Sequence, residues 1–247
     1  NNTPSWTWSV DDDVVLYEVM LDNVVQGTQT NTLFVSPKVL SDGNHVLKVR
    51  AKDSVGNWSD YGMNAVTIDT TPPALPYPTT TSPTKNNIPT WTWSRDNDSD
   101  TYEITLNNII QGIQSELSFT PSLSLSDGLN VIQVRSIDEV GNYSNYGIGV
   151  VLIDTTPPSI PVPITQSPTA NNKPTWSWHS IVDAIFYEVT LNDVLIGTQT
   201  STSFMSPSSL ADGTSEIKVR AKDEVGNYSQ YGSHVVLIDT TPPNIPN

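Results

Sequence analysis

VRAKDSVGNWSDYGMNAVTIDTTPP, from Val49 to Pro73, is the stretch whose reading decides the fold. It returns as VRSIDEVGNYSNYGIGVVLIDTTPP (Val134–Pro158) and as VRAKDEVGNYSQYGSHVVLIDTTPP (Val219–Pro243), each time after 85 residues and without insertion or deletion. The pairs Trp6/Trp8, Trp91/Trp93 and Trp176/Trp178 keep the same step, as do Tyr17, Tyr102 and Tyr187 and the Asp-Gly turns at Asp42, Asp127 and Asp212. A fixed period sets the architecture before any local reading does. A unit of 85 residues is too long for a solenoid turn and suits a small domain with its own modest core. The chain therefore reads as three copies of one module: residues 1–71, without the N-terminal strand that Pro72–Lys85 supplies to the next copy, then 72–156 and 157–241, followed by the start of a further linker at 242–247.

Within a repeat, Pro72–Lys85 is rich in Pro and Thr, which suits a stiff entry and an edge strand, because proline cannot donate to a central ladder. Pro89–Ser94 alternates apolar with small polar residues, so Trp91 and Trp93 face one side. Tyr102, Ile104 and Leu106 alternate inward, and Asn107-Asn108 makes a turn into Ile109–Gly112. Short strands follow around Leu117–Thr120 and Val131–Ser136, and Val150–Asp154 closes the unit. No segment carries a helical stripe of useful length. Short strands at regular spacing, broken by Gly, Pro, Asn and Asp, predict an all-β, antiparallel sandwich.

Composition excludes several function classes. The chain carries 26 acidic against 11 basic residues, a net charge of −15, and nucleic acid or an anionic membrane surface would call for the opposite sign. It has no cysteine, hence no disulfide, thiolate ligand or thiol nucleophile. Its longest apolar runs, such as Val235–Ile238, are far short of a membrane span. No leader is visible, Asn1-Asn2 correspond to Asn86-Asn87 inside the repeat, and Thr240–Pro246 repeats the opening of a unit. The expectation is a longer array cut at both ends, from an exported protein.

Trp178, Tyr187-Glu-Val189, Leu210-Ala-Asp212-Gly213 and Val219-Arg-Ala221-Lys-Asp223-Glu-Val-Gly226-Asn227-Tyr-Ser229 together resemble fibronectin type III and bacterial immunoglobulin-like domains. The Asp-Thr-Thr-Pro-Pro joint is similar to linkers in large bacterial surface and adhesin proteins. The resemblance covers the whole chain and implies three tandem sandwiches in an extended array, with no catalysis within it. One departure stands out: the corner tyrosine of fibronectin type III domains is replaced by His45, Asn130 and Ser215, so its cross-link is absent or supplied by other groups.

The recurring polar and aromatic residues each have a structural and a functional reading. Asp53, Asp138 and Asp223 open the Asp-x-x-Gly-Asn turn, where an aspartate caps turn amides. The functional alternative is calcium, which takes carboxylate and carbonyl oxygens from neighbouring loops. Asp69 and Asp154 stand at the joints, where a cation could lock one module on the next, and structural calcium is the one cofactor the sequence raises. Trp58, Tyr143 and Tyr228 follow Gly-Asn and read either as packing over the sandwich or as a stacking platform for sugar rings. Glu18, Glu103 and Glu188 should meet Arg50, Arg135 and Arg220 across neighbouring strands, each pair contributing about 0.2–1 kcal/mol. The histidines His45, His179 and His234 fall at non-equivalent positions, and no nucleophile–base set, metalloprotease motif or phosphate loop appears.

These readings converge on a non-catalytic spacer or stalk, extracellular, at a bacterial cell surface or secreted. Its partners would be the adjacent modules of the same chain and a glycan or a neighbouring or host surface protein, not nucleic acid and not the membrane interior. The alternatives are a binding module for glycan or protein and an accessory segment of a secreted polysaccharide-degrading enzyme.

Overall fold

A computed structural model describes residues 2–245. Asn1, Pro246 and Asn247, at the two expected cut ends, lie outside the described residues. Module 1 contains β1 (Ser5–Thr7), β2 (Val14–Leu21), β3 (Val24–Gln29), β4 (Leu33–Val35), β5 (Gly43–Asp53) and β6 (Gly62–Ile68). Module 2 contains β7 (Trp91–Thr92), β8 (Thr101–Leu106), β9 (Ile109–Gln114), β10 (Ser118–Phe119), β11 (Gly128–Ile137) and β12 (Gly147–Ile153). Module 3 contains β13 (Thr175–Ser177), β14 (Phe186–Leu191), β15 (Val194–Gln199), β16 (Ser203–Met205), β17 (Gly213–Lys222) and β18 (Gly232–Ile238). Each module sets a four-stranded antiparallel sheet, ordered β3-β2-β5-β6 in module 1, β9-β8-β11-β12 in module 2 and β15-β14-β17-β18 in module 3, against a two-stranded one, β1-β4, β7-β10 or β13-β16. The expected all-β class, in antiparallel sandwiches, is what forms.

Local chemistry explains the hairpins. Asp22-Asn23, Asn107-Asn108 and Asn192-Asp193 all sit at φ between 48° and 65°, the paired left-handed residues of a type I′ turn that Asn and Asp tolerate. Beyond each turn the ladder slips by one residue opposite Gly27, Gly112 or Gly197, a bulge whose positive φ favours glycine. The groups replacing the corner tyrosine do supply a cross-link. His45 bonds the carboxylate of Asp22 and the carbonyl of Ser41, Asn107 donates to Asn130, and Asn192 donates to Ser215.

The paired tryptophans form the core. Trp91 and Trp176 are fully buried, Trp93 and Trp178 nearly so, and Tyr102 and Tyr187 meet them edge-on at 5.6 and 5.5 Å. Around them close Ile104, Ile132, Val134 and Ile153 in module 2, and Val189, Ile217, Val219 and Ile238 in module 3. The core of module 1 is looser, with Trp8, Val49 and Val66 only partly covered.

The Pro/Thr entry segment differs from a regular edge strand. It touches the sheets at two bridges in each of modules 2 and 3: Thr79–Thr92 and Thr84–Ile153, then Ile164–Ser177 and Thr169–Ile238. Its prolines have no N–H to donate, so it seats by burial instead, with Pro73, Pro76 and Pro78, and then Pro158, Pro161 and Pro163, facing inward.

Candidate functional site

The recurring acids meet where one module joins the next. The Asp-x-x-Gly-Asn turn supplies the first part. Asp138 Oδ1 accepts the N–H of Val140 at 3.0 Å and of Asn142 at 2.7 Å, while Oδ2 accepts from the Asn142 side chain at 2.7 Å. That same amide nitrogen donates at 3.2 Å to the carbonyl of Asp69, in the preceding module. The second joint repeats this: Asn227 bonds Asp223 at 2.8 Å and the carbonyl of Asp154 at 2.9 Å. Asp53 caps its own turn in the same way, through Val55, Gly56 and Asn57. The capping reading therefore holds for all three aspartates.

A second clamp holds the joint, and sequence reading missed it. Asp127, in the Asp-Gly turn, accepts the N–H and Oγ of Thr155 at 3.0 and 2.7 Å and the Oγ of Thr156 at 2.7 Å. Asp42 binds Thr70 and Thr71, and Asp212 binds Thr240 and Thr241, alike. The Thr156 hydroxyl first, then that of Thr155, holds the Asp127 carboxyl below its ordinary value. The signal was present, since Asp42, Asp127 and Asp212 keep the repeat step, but their partners lie 28 and 29 residues on, beyond any local pattern.

Carboxylates then gather over each joint. Asp69, Asp98 and Asp138 form one cluster and Asp154, Asp183 and Asp223 the other, each with its ligand oxygens within 4.8 Å of one another. Calcium–oxygen distances are about 2.3–2.6 Å, so oxygens sharing one ion lie up to about 5 Å apart. The spacing fits. Of the residues expected to bind calcium, the structure brings together Asp69 with Asp138 and Asp154 with Asp223, adds Asp98 and Asp183, and leaves Asp53 outside either cluster. Burial, and then the charges of Asp69, Asp138 and Asp96, push the Asp98 carboxyl above its ordinary value. Ser99 lines the same cleft as Asp69, Asp98 and Asp138 and is 4% exposed, with its hydroxyl oxygen unpartnered.

Away from the joints, the loop aromatics stack on arginine. The Arg135 guanidinium lies 4.2 Å from the Tyr143 ring centre and 4.8 Å from that of Tyr146; Arg220 lies 4.1 Å from Tyr228 and 4.8 Å from Tyr231; Arg50 lies 4.5 Å from Trp58 and 5.0 Å from Tyr61. Each arginine bonds the expected glutamate, at 2.8 Å for Glu18, 2.9 Å for Glu103 and 2.8 Å for Glu188. The hydroxyls of Tyr61, Tyr146 and Tyr231 complete each set on the same carboxylates. Trp58, Tyr143 and Tyr228 thus cover their own sheet with one ring face. The Arg220 hydrogen bond leads the effects that hold Glu188 below its ordinary value. A lowered carboxyl pKa contributes stability above the unfolded value, about 4.3, that is lost as pH falls through the folded one. Arg220→Ala should cost about 1 kcal/mol at pH 7, at the top of the range for a partly exposed pair, and progressively less as acid protonates Glu188, with the loss of stacking on Tyr228 and Tyr231 remaining, as urea titrations across the acid range would show.

No family model matches the chain. It is 26% identical over 264 residues to Exoglucanase B of Cellulomonas fimi, covering 97% of this chain and 24% of that protein. To Exoglucanase A of the same organism it is 29% identical over 252 residues, covering 91% of this chain and 29% of the relative. The chain thus spans less than a third of the length of these relatives. Among solved structures it is similar to the fibronectin(III)-like modules of Clostridium thermocellum CbhA, with 14% identity, a TM-score of 0.35, and coverage of 70% of this chain and 93% of that one.

Proposed function

We propose that this chain is a non-catalytic spacer, an accessory segment of an extracellular polysaccharide-degrading protein. One observation carries this reading: nearly the whole chain aligns with about a quarter of each of two exoglucanases, as a separable part of a larger protein would. Of the settings the sequence left open, these relatives favour the accessory segment over the cell-surface stalk. The use of the repeated polar residues supports a mechanical role. Asp42 and Asn142 hold the first joint, Asp127 and Asn227 the second, and Glu103, Arg135 and Tyr143 cover a sheet face.

The role of such a segment is to fix distance and orientation. Each Thr-Thr-Pro-Pro joint is tied from both sides, the first by Asp42 and Asn142 and the second by Asp127 and Asn227, which restricts rotation between modules, and calcium in the Asp69–Asp98–Asp138 and Asp154–Asp183–Asp223 clusters would tighten them further. The ion would supply the positive charge that three crowded carboxylates lack.

Small-angle scattering with calcium and with chelator tests both parts. The main-sheet strands, six to eleven residues long, rise about 3.3 Å per residue, so three modules with their joints should extend on the order of 100 Å. The expected result is an extended particle, stiffer with calcium, and Asp98→Asn should weaken calcium binding by calorimetry at the first joint alone. A compact particle would overturn the spacer, and absence of calcium heat would remove the cation. Turnover of cellulose or chitin by this chain would show it to be catalytic. Retention on cellulose that Tyr228→Ala abolishes would instead make it a binding module.

A further inference from the structure

The chain has nine tyrosines, and the fold engages all but one of them. Tyr17, Tyr102 and Tyr187 are buried, the hydroxyls of Tyr61, Tyr146 and Tyr231 bond glutamates, and Tyr143 and Tyr228 stack on arginines. Tyr77 is 73% exposed and has no hydrogen bond or ring contact among the described residues. The arginines divide in the same way. Arg50, Arg135 and Arg220 each bond a glutamate and stack on aromatic rings, whereas Arg95 is exposed and pairs with no carboxylate among the described residues.

These two side chains line one groove. It measures about 510 Å³ and runs between the entry segment of module 2 and β7, with Thr79, Thr92, Ser94 and Asp96 also on its walls. Its frame is rigid. Thr79 and Thr92 exchange backbone hydrogen bonds at 2.9 and 3.0 Å, which sets Tyr77 opposite Ser94 on their shared outward face. Tyr77 stands between Pro76 and Pro78, both buried, and a residue before proline is held extended. Asp96 Oδ2 accepts the N–H of Ala74 at 2.8 Å, and Oδ1 that of Asn97 at 2.8 Å, which ties this wall to the entry segment. Arg95 donates from Nε and Nη2 to the carbonyl of Ser99, at 3.1 and 3.0 Å, and the rest of its fork of N–H donors is unused.

We propose that this groove is a subsite for a neutral saccharide. A sugar ring joins an apolar C–H face to a rim of hydroxyls that both donate and accept. The open Tyr77 ring matches that face, and Arg95, which only donates, beside Asp96, which only accepts, matches neighbouring hydroxyls. Their two charges cancel, and the excess of carboxylates in this chain opposes an anionic ligand. The volume lies within the range of small-molecule sites, about 300–1,000 Å³. A ring and backbone already held in place lose little freedom on binding. Module 3 lacks all three groups, with Val162, Ser180 and Ile181 at the positions of Tyr77, Arg95 and Asp96. The subsite goes beyond the spacer reading, because a segment that only sets distance needs no contact with sugar.

Affinity electrophoresis of the 247-residue chain through gels holding hydroxyethylcellulose, xylan or a soluble chitin derivative tests it, with pectate as the anionic control. The choice of these neutral probes rests on the accessory reading above. At least one of them should retard the chain, and pectate should not. Tyr77→Val should remove the retardation, Arg95→Gln should reduce it at least twofold, and Tyr77→Phe should keep it. Tyr77 has no bond to lose, so its variants should melt as the parent chain does. No retardation by any neutral polymer, or equal retardation of Tyr77→Val, would overturn the subsite; an extended particle by scattering would then leave the spacer standing. Retardation by pectate alone would overturn the neutral ligand and make Arg95 an anion contact. Retardation lost in Tyr228→Ala and kept in Tyr77→Val would overturn the groove in favour of the loop aromatics.

Discussion

Gly147→Ala should unfold module 2 well before its neighbours, at a cost of about 3 kcal/mol. The added Cβ would stand 1.7 Å from the oxygen of Pro76, 2.8 Å from its carbonyl carbon and 3.3 Å from Cδ of Pro78. Overpacking in a closed core costs about 1–3 kcal/mol, and more where the obstacle cannot yield. Here the obstacle is backbone, pinned by buried Pro73, Pro76 and Pro78 and by the Thr79–Thr92 bonds. Relief means lifting the segment off Val134 and Val151, both fully buried. The matching change Gly62→Ala meets only the Val49 carbonyl oxygen, at an ordinary 3.7 Å, and should stay within about 0.5 kcal/mol, the ordinary range for a surface substitution. Urea unfolding followed by tryptophan fluorescence compares the two directly. Equal effects would mean that the proline segment does not close the core of module 2.

Trp176→Ala should cost about 3–5 kcal/mol and leave module 3 barely folded. Trp176 is fully buried, and its ring stacks on Phe204 at 6.2 Å between centroids. Removing a buried aromatic forfeits its transfer energy and leaves a cavity that rigid sheets close only in part. A module of this size holds on the order of 4–13 kcal/mol in total, so the loss takes a large share of it. Modules 1 and 2 keep their own cores around Trp6 and Trp91 and should melt where they did before. Calorimetry should therefore show one transition displaced downward and the others in place. A shift equivalent to less than about 1.5 kcal/mol would contradict Trp176 as the centre of its core.

The two experiments rest on features of unequal legibility. Trp176 could be assigned to the core from the sequence, because Trp-x-Trp with small polar neighbours at period two leaves one buried face. The Glu188–Arg220 pair was equally open to reading, since both residues recur on strands that a hairpin-rich sandwich makes adjacent. Gly147 could not be read this way. Its φ is not positive, so no turn required glycine there, and the carbonyl that excludes a side chain comes from Pro76, 71 residues earlier. The acid clusters fall between the two cases. Asp69, Asp138, Asp154 and Asp223 stand out as recurring residues at turns and joints, while Asp98 and Asp183 lie in a loop whose acidic run, Asp96-Asn-Asp98-Ser-Asp100, resembles a calcium loop without its turn glycine and shrinks to Asp183 alone in module 3.

By itself the sequence determined the module, its number, its all-β class, its turns and its paired tryptophans, because these depend on period and on the conformational preferences of neighbouring residues. Only the tertiary structure decided what the VRAKDSVGNWSDYG-type stretch does at its ends. Asn142 reaches back to Asp69 and Asn227 to Asp154, and Asp127 grips a Thr-Thr pair in the next turn of chain. These are contacts between residues from 28 to 73 positions apart, set by how sheets and joints pack, and no local pattern encodes which of many equivalent aspartates will meet.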